Sequence, residues 1–320
     1  MINSVFLPLD NQGNILHAHG GHMLKQGQWY YWIGEDRTEN NKVSCYKSKD
    51  LTNWIFCNHL LTTKSQTASH NTAADLTLEM EGRQADIGKG CNIERPKVLY
   101  NPKTGKYVMW MHWELPDDYQ EARCAVAVCD TVDGDYTYLG SFRPLGHMSR
   151  DCTVFQEEDG SAYFISASRN NLDLHIYKLT DDYLSIDQLV CVLWPGQERE
   201  APVLFKRREY YYMLTSGCTG WAPNQSAYAY SKTIDGPWSE LYLLGDETTY
   251  GSQPTSILCL KNEKTEDSEY WYLGDRWKGS GQNYYQSEYV LLPLHFKSDT
   301  ELYLEWRPNA ELKIDWIQTD

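Results

Sequence analysis

Five times along its 320 residues the chain repeats one pattern: a short polar or charged opening, an apolar stretch, an aromatic strand and an outer hairpin. The openings are His19-Gly20-Gly21-His22, Glu94-Arg95-Pro96-Lys97-Val98, Arg150-Asp151-Cys152-Thr153-Val154, Glu200-Ala201-Pro202-Val203-Leu204 and Gly251-Ser252-Gln253-Pro254-Thr255. The aromatic strands are Trp29-Tyr30-Tyr31-Trp32, Tyr107-Val108-Met109-Trp110, Tyr163-Phe164-Ile165, Tyr210-Tyr211-Tyr212-Met213 and Tyr270-Trp271-Tyr272-Leu273. A repeat of this length made only of strands predicts an all-β fold, a five-bladed β-propeller with one four-stranded blade per repeat. Helical periodicity is nearly absent, and turn signals recur about every 8–12 residues, as in all-β chains. In a propeller the first strand of each blade lines the central channel. The openings near residues 19, 94, 150, 200 and 252 therefore converge on one axis, and two of them deliver a glutamate there.

These five units leave no room for a second large domain, so residues 1–320 are expected to form a single propeller. Lys25-Gln26-Gly27-Gln28, Asn101–Lys106, Glu157–Ser161 and Lys206–Glu209 mark hairpins between the first and second strands. The outer hairpins also rhyme: Tyr46–Trp54 resembles Tyr230–Trp238, with a third copy at Cys129–Tyr136, each ending in an aromatic that caps the outer edge. Residues 58–90 break the rhythm and read as a long polar loop or short helix, of the length that is usually functional or disordered. Lys278–Asn283 reads as a glycine-rich link to the last strands. Leu302–Trp306 and Val5–Leu7 are the two candidates for the closing strand.

A hydrophobic fraction of 41% supports a real core, and 13% aromatics, with 24 Tyr and 12 Trp, suits blades packed face to face or a carbohydrate platform. A net charge of -15 argues against nucleic acid or an anionic membrane as partner and is compatible with a neutral sugar. Nine scattered cysteines form no metal-like pair and read as free thiols of a reducing compartment. The N-terminus has no basic region and only a short apolar run, and no stretch approaches membrane-spanning length. The expectation is a cytoplasmic protein, or a secreted one whose leader has been removed.

Paired carboxylates on facing inner strands are what glycoside hydrolysis needs: one protonates the leaving oxygen, the other activates water or tunes its partner. Glu94 and Glu200 hold matching blade positions, each two residues before a proline that stiffens the strand and fixes the glutamate's direction. The structural alternative is that both are salt-bridged strand ends, paired with Arg95 and Arg199. Asp151 and Gln253 stand at the same level in blades three and five. The second strands end on the same face, in Gly34–Arg37, His112–Glu114, Ser166–Asn170, Ser216–Trp221 and Gly274–Trp277. Polar groups mixed with Trp suit a sugar, whose hydroxyls take hydrogen bonds while its apolar face stacks on indole.

Through these motifs the chain resembles glycoside hydrolase family 43, the five-bladed propeller enzymes, and within it the exo-β-1,3-galactanase (galactan 1,3-β-galactosidase) branch. The resemblance spans residues 15–310 and rests on Ala18–Gly21 with Tyr30–Glu35, Asn92–Val98, Ser149–Asp151, Glu200–Pro202, Ser252–Thr255 and Gly274–Trp277. It implies an inverting exo-glycosidase removing terminal β-1,3-linked galactose from galactan or arabinogalactan-derived oligosaccharides. It also implies Glu200 as general acid and Glu94 as the carboxylate that tunes it and orients substrate. Most members place an Asp base at the first blade opening. His17–Gly21 contains none, and the branch's glutamine at the blade-five opening matches Gln253. A neutral amide is a poor base. Gln253 would need an imidic-acid tautomer, or it positions water while Glu35 or Asp151 takes the proton.

Substrate-binding roles carried by the resemblance fall on Glu35, Arg95, Tyr119, Asp151, Asn170, Thr219 and Trp221. Some members hold an axial calcium; no acidic cluster here demands one, so no metal or cofactor is expected. No carbohydrate-binding module is evident, which points to short oligosaccharides as the working partner. The alternatives are an α-L-arabinofuranosidase or β-galactofuranosidase of the same fold, or a non-catalytic sugar-binding propeller.

Overall fold

The computed structural model describes residues 2–38, 42–62, 64–68, 91–115, 118–262, 264–265 and 267–313. They form five blades in chain order around one axis. Blade one is His19–Gln26, Trp29–Asp36, Lys42–Ser48 and Ile55–Leu61; blade two is Asn92–Asn101, Lys106–Leu115, Asp118–Cys129 and Thr137–Phe142. Blade three is Cys152–Gln156, Ala162–Ser168, Asp173–Leu179 and Ile186–Leu193; blade four is Arg199–Arg207, Tyr210–Gly217, Ser226–Ser231 and Tyr242–Leu244. Blade five opens with Gln253–Lys261, Ser268–Arg276 and Glu288–Phe296. All neighbours within the blades pair antiparallel.

The second strands are aromatic because neither face meets water. Successive side chains point to opposite faces of a strand. In blade one Tyr31 and Ile33 enter the core shared with blade two, while Tyr30 and Trp32 enter the core shared with blade five. The same split recurs between Met109 and Trp110, Ile165 and Phe164, Met213 and Tyr212, and Leu273 and Tyr272. Five cores, one per blade boundary, close the ring. The expected outer-hairpin caps are seated as structural rings, with Trp54 and Tyr136 buried and Trp238 packed against the blade three–four core.

Both candidate closing strands are used. Val5–Phe6 pairs with the first half of Glu288–Phe296, and Leu302–Leu304 pairs with its last residues. The two termini meet again where Ile2–Asn3 pairs with Asn309–Ala310. The insertion begins later than residue 58, because the outer strand of blade one runs to Leu61. Gln66 and Ala68 then hydrogen-bond to Tyr138, extending the outer edge of blade two; residues 69–90 of the expected loop lie outside the described residues. The link after Trp277 contains a short 3₁₀ segment, Gly281–Gln286, that presents Tyr284 and Tyr285. Among the described residues no helix is long and apolar enough to cross a membrane.

Candidate active site

One local device positions the site. The inner strands shift register just after His19, Glu94 and Glu200, and again after Pro254 in blade five. The residues that follow the first three, Gly20, Arg95 and Ala201, are left-handed, at φ +59°, +50° and +52°. Such a β-bulge sets two residues against one, bends the strand and re-aims a side chain. For a non-glycine residue the left-handed backbone costs roughly 1–2 kcal/mol, and here it falls directly after both glutamates. The bulge therefore aims Glu94 and Glu200, a role the sequence had given to Pro96 and Pro202. The prolines fit because a bulge frees the strand from donating a ladder hydrogen bond at that point.

The inner strands thus bring Glu94, Asp151, Glu200 and Gln253 into the wall of one cavity of ≈310 Å³, with His19 fully buried at the matching position of blade one. The cavity wall holds eight of the ten expected residues: Glu35, Glu94, Arg95, Tyr119, Asp151, Glu200, Trp221 and Gln253. Asn170 and Thr219 are not part of it. Asn170 accepts a hydrogen bond from Arg150 (3.1 Å), and the neighbouring Asn171 lines the cavity instead. The Thr219 hydroxyl is occupied within its own loop, donating to the Ala222 carbonyl (2.6 Å) and accepting from Asn224 (2.7 Å).

Glu94 and Glu200 have opposite surroundings. Glu94 Oε1 accepts from Arg37 (2.8 Å) and the Tyr119 hydroxyl (2.6 Å), and its Oε2 lies 3.1 Å from His112 Nδ1. Burial works to raise its pKa, but His112, Arg37 and Tyr119 outweigh it and hold the carboxyl well below the usual range. Glu200 faces neutral donors among the described residues: the amides of Asn171 (Nδ2, 3.2 Å) and Gln253 (Nε2, 3.1 Å) and the Cys218 thiol. Burial, then the charge of Asp151, push it up to about 7. The carboxylate that raises Glu200 is thus Asp151, in place of the expected Glu94. The expected salt-bridge partners fail for both glutamates: Arg199 bonds to Thr215 (2.9 and 2.8 Å), and Arg95 pairs through Nε with Asp151 (2.8 Å), while Glu94 is ion-paired with Arg37 and His112 instead.

Gln253 is fixed at all four of its hydrogen-bonding positions. Its oxygen accepts from Arg95 Nη2 and from Trp277 Nε1 (2.8 Å); its nitrogen donates to Glu200 and to Ser216 Oγ (3.0 Å). Arg and Trp side chains can only donate, so the amide has one orientation. Arg95 also donates to the Pro254 carbonyl (3.0 Å), making it a clamp across blades two, three and five.

Three residues escaped sequence reasoning. Arg37 donates to both Glu35 (3.0 Å) and Glu94 and lies 4.9 Å from the Tyr284 ring centre. His112 stands between Glu94 and Glu114 (3.2 Å); burial opposes its charge, but the two carboxylates raise it to about 9. His19, at the matching position of blade one, donates to Asp275 (3.0 Å) and stacks on Tyr289. Arg37 and His112 lay inside quoted strand ends and His19 headed an opening, but a lone cation or imidazole carries no signal until its acidic partners are known. Burial raises Glu35 most, and it stands at about 7. Glu94, His112 and Asp151 bring one ligand atom each within 4.8 Å of one another. The two carboxylates already accept from Arg37, Tyr119 and Arg95, so this donor set does not fit a divalent cation.

Residues 18–243 match the model of the family described as glycosyl hydrolases family 43. The chain is 48% identical to an exo-β-1,3-galactanase from Clostridium thermocellum, covering 95% of this chain and 65% of that one, with a TM-score of 0.84. A family 43 β-1,3-galactosidase solved with galactodeoxynojirimycin is 32% identical, with 98% of this chain and all of that one covered (100%) and a TM-score of 0.83. An exo-β-1,3-galactanase from Phanerochaete chrysosporium, solved with β-1,3-galactotriose, is 32% identical over 96% and 67% of the two chains at a TM-score of 0.82. Among curated proteins, a β-xylosidase from Bacillus subtilis is 24% identical over 208 residues, and the chain spans 35% of its length.

Proposed function

The chain belongs to glycosyl hydrolases family 43, and from that membership we propose that it is an inverting exo-glycosidase releasing terminal β-1,3-linked galactose from galactan or arabinogalactan-derived oligosaccharides. One observation carries the proposal: two glutamates at matching bulges, one pushed up to about 7 and the other held well below its ordinary range. Carboxyls driven apart in this way divide acid from anion. Glu200, protonated near neutrality, delivers its proton to the leaving oxygen. Glu94 stays ionised, fixes Arg37 and Tyr119, and balances positive charge developing on the sugar. At ≈310 Å³ the pocket is near the lower bound of ligand sites, roughly 300–1,000 Å³. Trp221 and Trp277 wall it edge to face at 5.5 Å, an apolar surface for the terminal sugar's ring.

Inversion requires a water opposite the leaving group and an acceptor for its proton. The imidic-acid form of Gln253 would carry a hydroxyl facing only the donors of Arg95 and Trp277, so the amide form fits and the tautomer does not. Gln253 then positions Glu200, and positions water when substrate displaces one of its bonds. Of the two carboxylates that could take the proton, Asp151 is held by Arg95 and by the Ala201 amide (3.0 Å) on one oxygen. Glu35 likewise accepts on one oxygen, Oε2, from Arg37 (3.0 Å), but burial pushes it up to about 7, so it binds a proton more readily. Glu35 is the better acceptor. Metal chemistry has no part in this reading.

The test is a substrate panel of β-1,3-galactobiose beside aryl β-galactosides, β-xylosides, α-L-arabinofuranosides and β-galactofuranosides. Release of galactose from galactobiose with the highest kcat/KM supports the proposal. Preference for an arabinofuranoside or xyloside moves the specificity to another branch of the family.

A further inference from the structure

We propose that the groove on the flank between blades four and five, walled by Asp246, Tyr250, Arg276 and Trp306, is a second carbohydrate site that holds a neutral polysaccharide chain outside the catalytic pocket. The identity of that chain as galactan rests on the function proposed above; the groove's character as a sugar site does not.

Of the 12 tryptophans, two are exposed among the described residues, Trp221 at 39% and Trp306 at 43%. Trp221 walls the catalytic pocket, and Trp306 walls a separate cavity of ≈440 Å³ with Tyr250 and Arg276. The Trp306 and Tyr250 rings lie 5.4 Å apart at 39°, and the Tyr250 hydroxyl donates to the Leu304 carbonyl (3.2 Å), so the platform is braced from below. Polar groups with spare capacity flank it. The Arg276 guanidinium makes no hydrogen bond among the described residues, and its nearest carboxylate oxygen, on Glu288, is 3.9 Å away. Asp246 accepts from the Thr248 amide and hydroxyl (3.0 and 3.1 Å) and the Tyr250 amide (2.6 Å), all on Oδ1, which leaves Oδ2 for a ligand. Gly251, at φ +71°, keeps the floor open: a Cβ there would come within 3.0 Å of Arg276 Nε.

An indole face beside a guanidinium with unused donors and a carboxylate oxygen with unused lone pairs matches a sugar ring, which offers one apolar face and a rim of hydroxyls. A net charge of -15 disfavours an acidic polymer. Gly251 and Arg276 lie two and one residues from Gln253 and Trp277, so the groove opens beside the catalytic wall. A polymer held there raises the local concentration of chain ends at the pocket.

The experiment is native gel electrophoresis of the full chain through β-1,3-galactan, arabinan or xylan, for wild type, Trp306→Ala and Trp306→Phe, with β-1,3-galactobiose hydrolysis as a check of the fold. Wild type is expected to be retarded in β-1,3-galactan. Trp306→Ala should bind about three- to tenfold more weakly, Trp306→Phe should fall between, and galactobiose kcat/KM should not change. Retardation that depends on Trp306 but occurs only in arabinan or xylan upholds the groove and overturns the galactan reading. Equal retardation of wild type and Trp306→Ala, or none of either, overturns the proposal. So does sedimentation showing that Trp306→Ala only dissociates a dimer, because the groove's occupant is then a second copy of the chain.

Discussion

Glu200 and Glu94 are one residue type at one repeat position, and their neighbours alone assign them different work. Glu200→Gln removes the transferable proton without changing shape, so turnover of galactobiose should fall about 10²–10⁴-fold with binding retained. A dinitrophenyl glycoside, whose leaving group needs no proton, should escape part of that loss. Asp151 raises Glu200 by like charge and holds Arg95, so Asp151→Asn removes the repulsion and frees a cation, and both effects lower the Glu200 pKa. The alkaline limb of the pH–rate profile, expected near 7 in the wild type, should move to lower pH in this variant; an unmoved limb would separate Asp151 from the acid. The sign for stability follows the same shift. A carboxyl raised from 4.5 to about 7 favours the folded state below pH 4.5, and that contribution is lost as pH rises through about 7. Sequence alone located both glutamates, because repetition makes two bland residues equivalent. The resemblance gave the tuning role to Glu94 where the structure gives it to Asp151, because which carboxylate stands beside Glu200 is set by the folded strands and not by repeat position.

Among the elements, the aromatic strands were fully legible and the inner strands only partly so. A run such as Trp29–Trp32 can be stable as a strand only if both faces are covered, which demands a blade on each side. The bulges left no such trace. Glu-Arg-Pro and Glu-Ala-Pro display the proline, whereas the left-handed residue between, Arg95 or Ala201, is of a type that gives no warning of its backbone. Gly34 shows how tightly these strands approach: a Cβ there would sit 2.1 Å from the carbonyl carbon and oxygen of Ala18. The obstacle is backbone and cannot swing aside. Gly34→Ala should cost about 3 kcal/mol, near the upper end for single substitutions, and should disturb the neighbouring Glu35. Thermal unfolding checks the first effect and galactobiose turnover the second. An unchanged melting temperature would contradict the close approach.

At the scale of the whole molecule, the ring is closed by both ends of the described chain, which the sequence offered as alternatives because each segment alone reads as one short strand. Phe6 packs against Trp32 and Tyr289, joining the closing strand to the blade five–one core. Phe6→Ala should destabilise the protein by about 2 kcal/mol, less than a fully buried Phe→Ala change, measurable by denaturant unfolding; no loss would mean that Leu302–Leu304 closes the ring alone. A closed ring of five inner strands is what brings blades two and four to one pocket, so fold and chemistry stand together. The decisive measurement is a proton NMR time course of β-1,3-galactotriose hydrolysis. Galactose should be released one residue at a time, with α-galactose as the first anomer to appear before mutarotation. First-formed β-galactose would show retention, and with it a covalent intermediate for which this arrangement of Glu94, Glu200 and Gln253 gives no account.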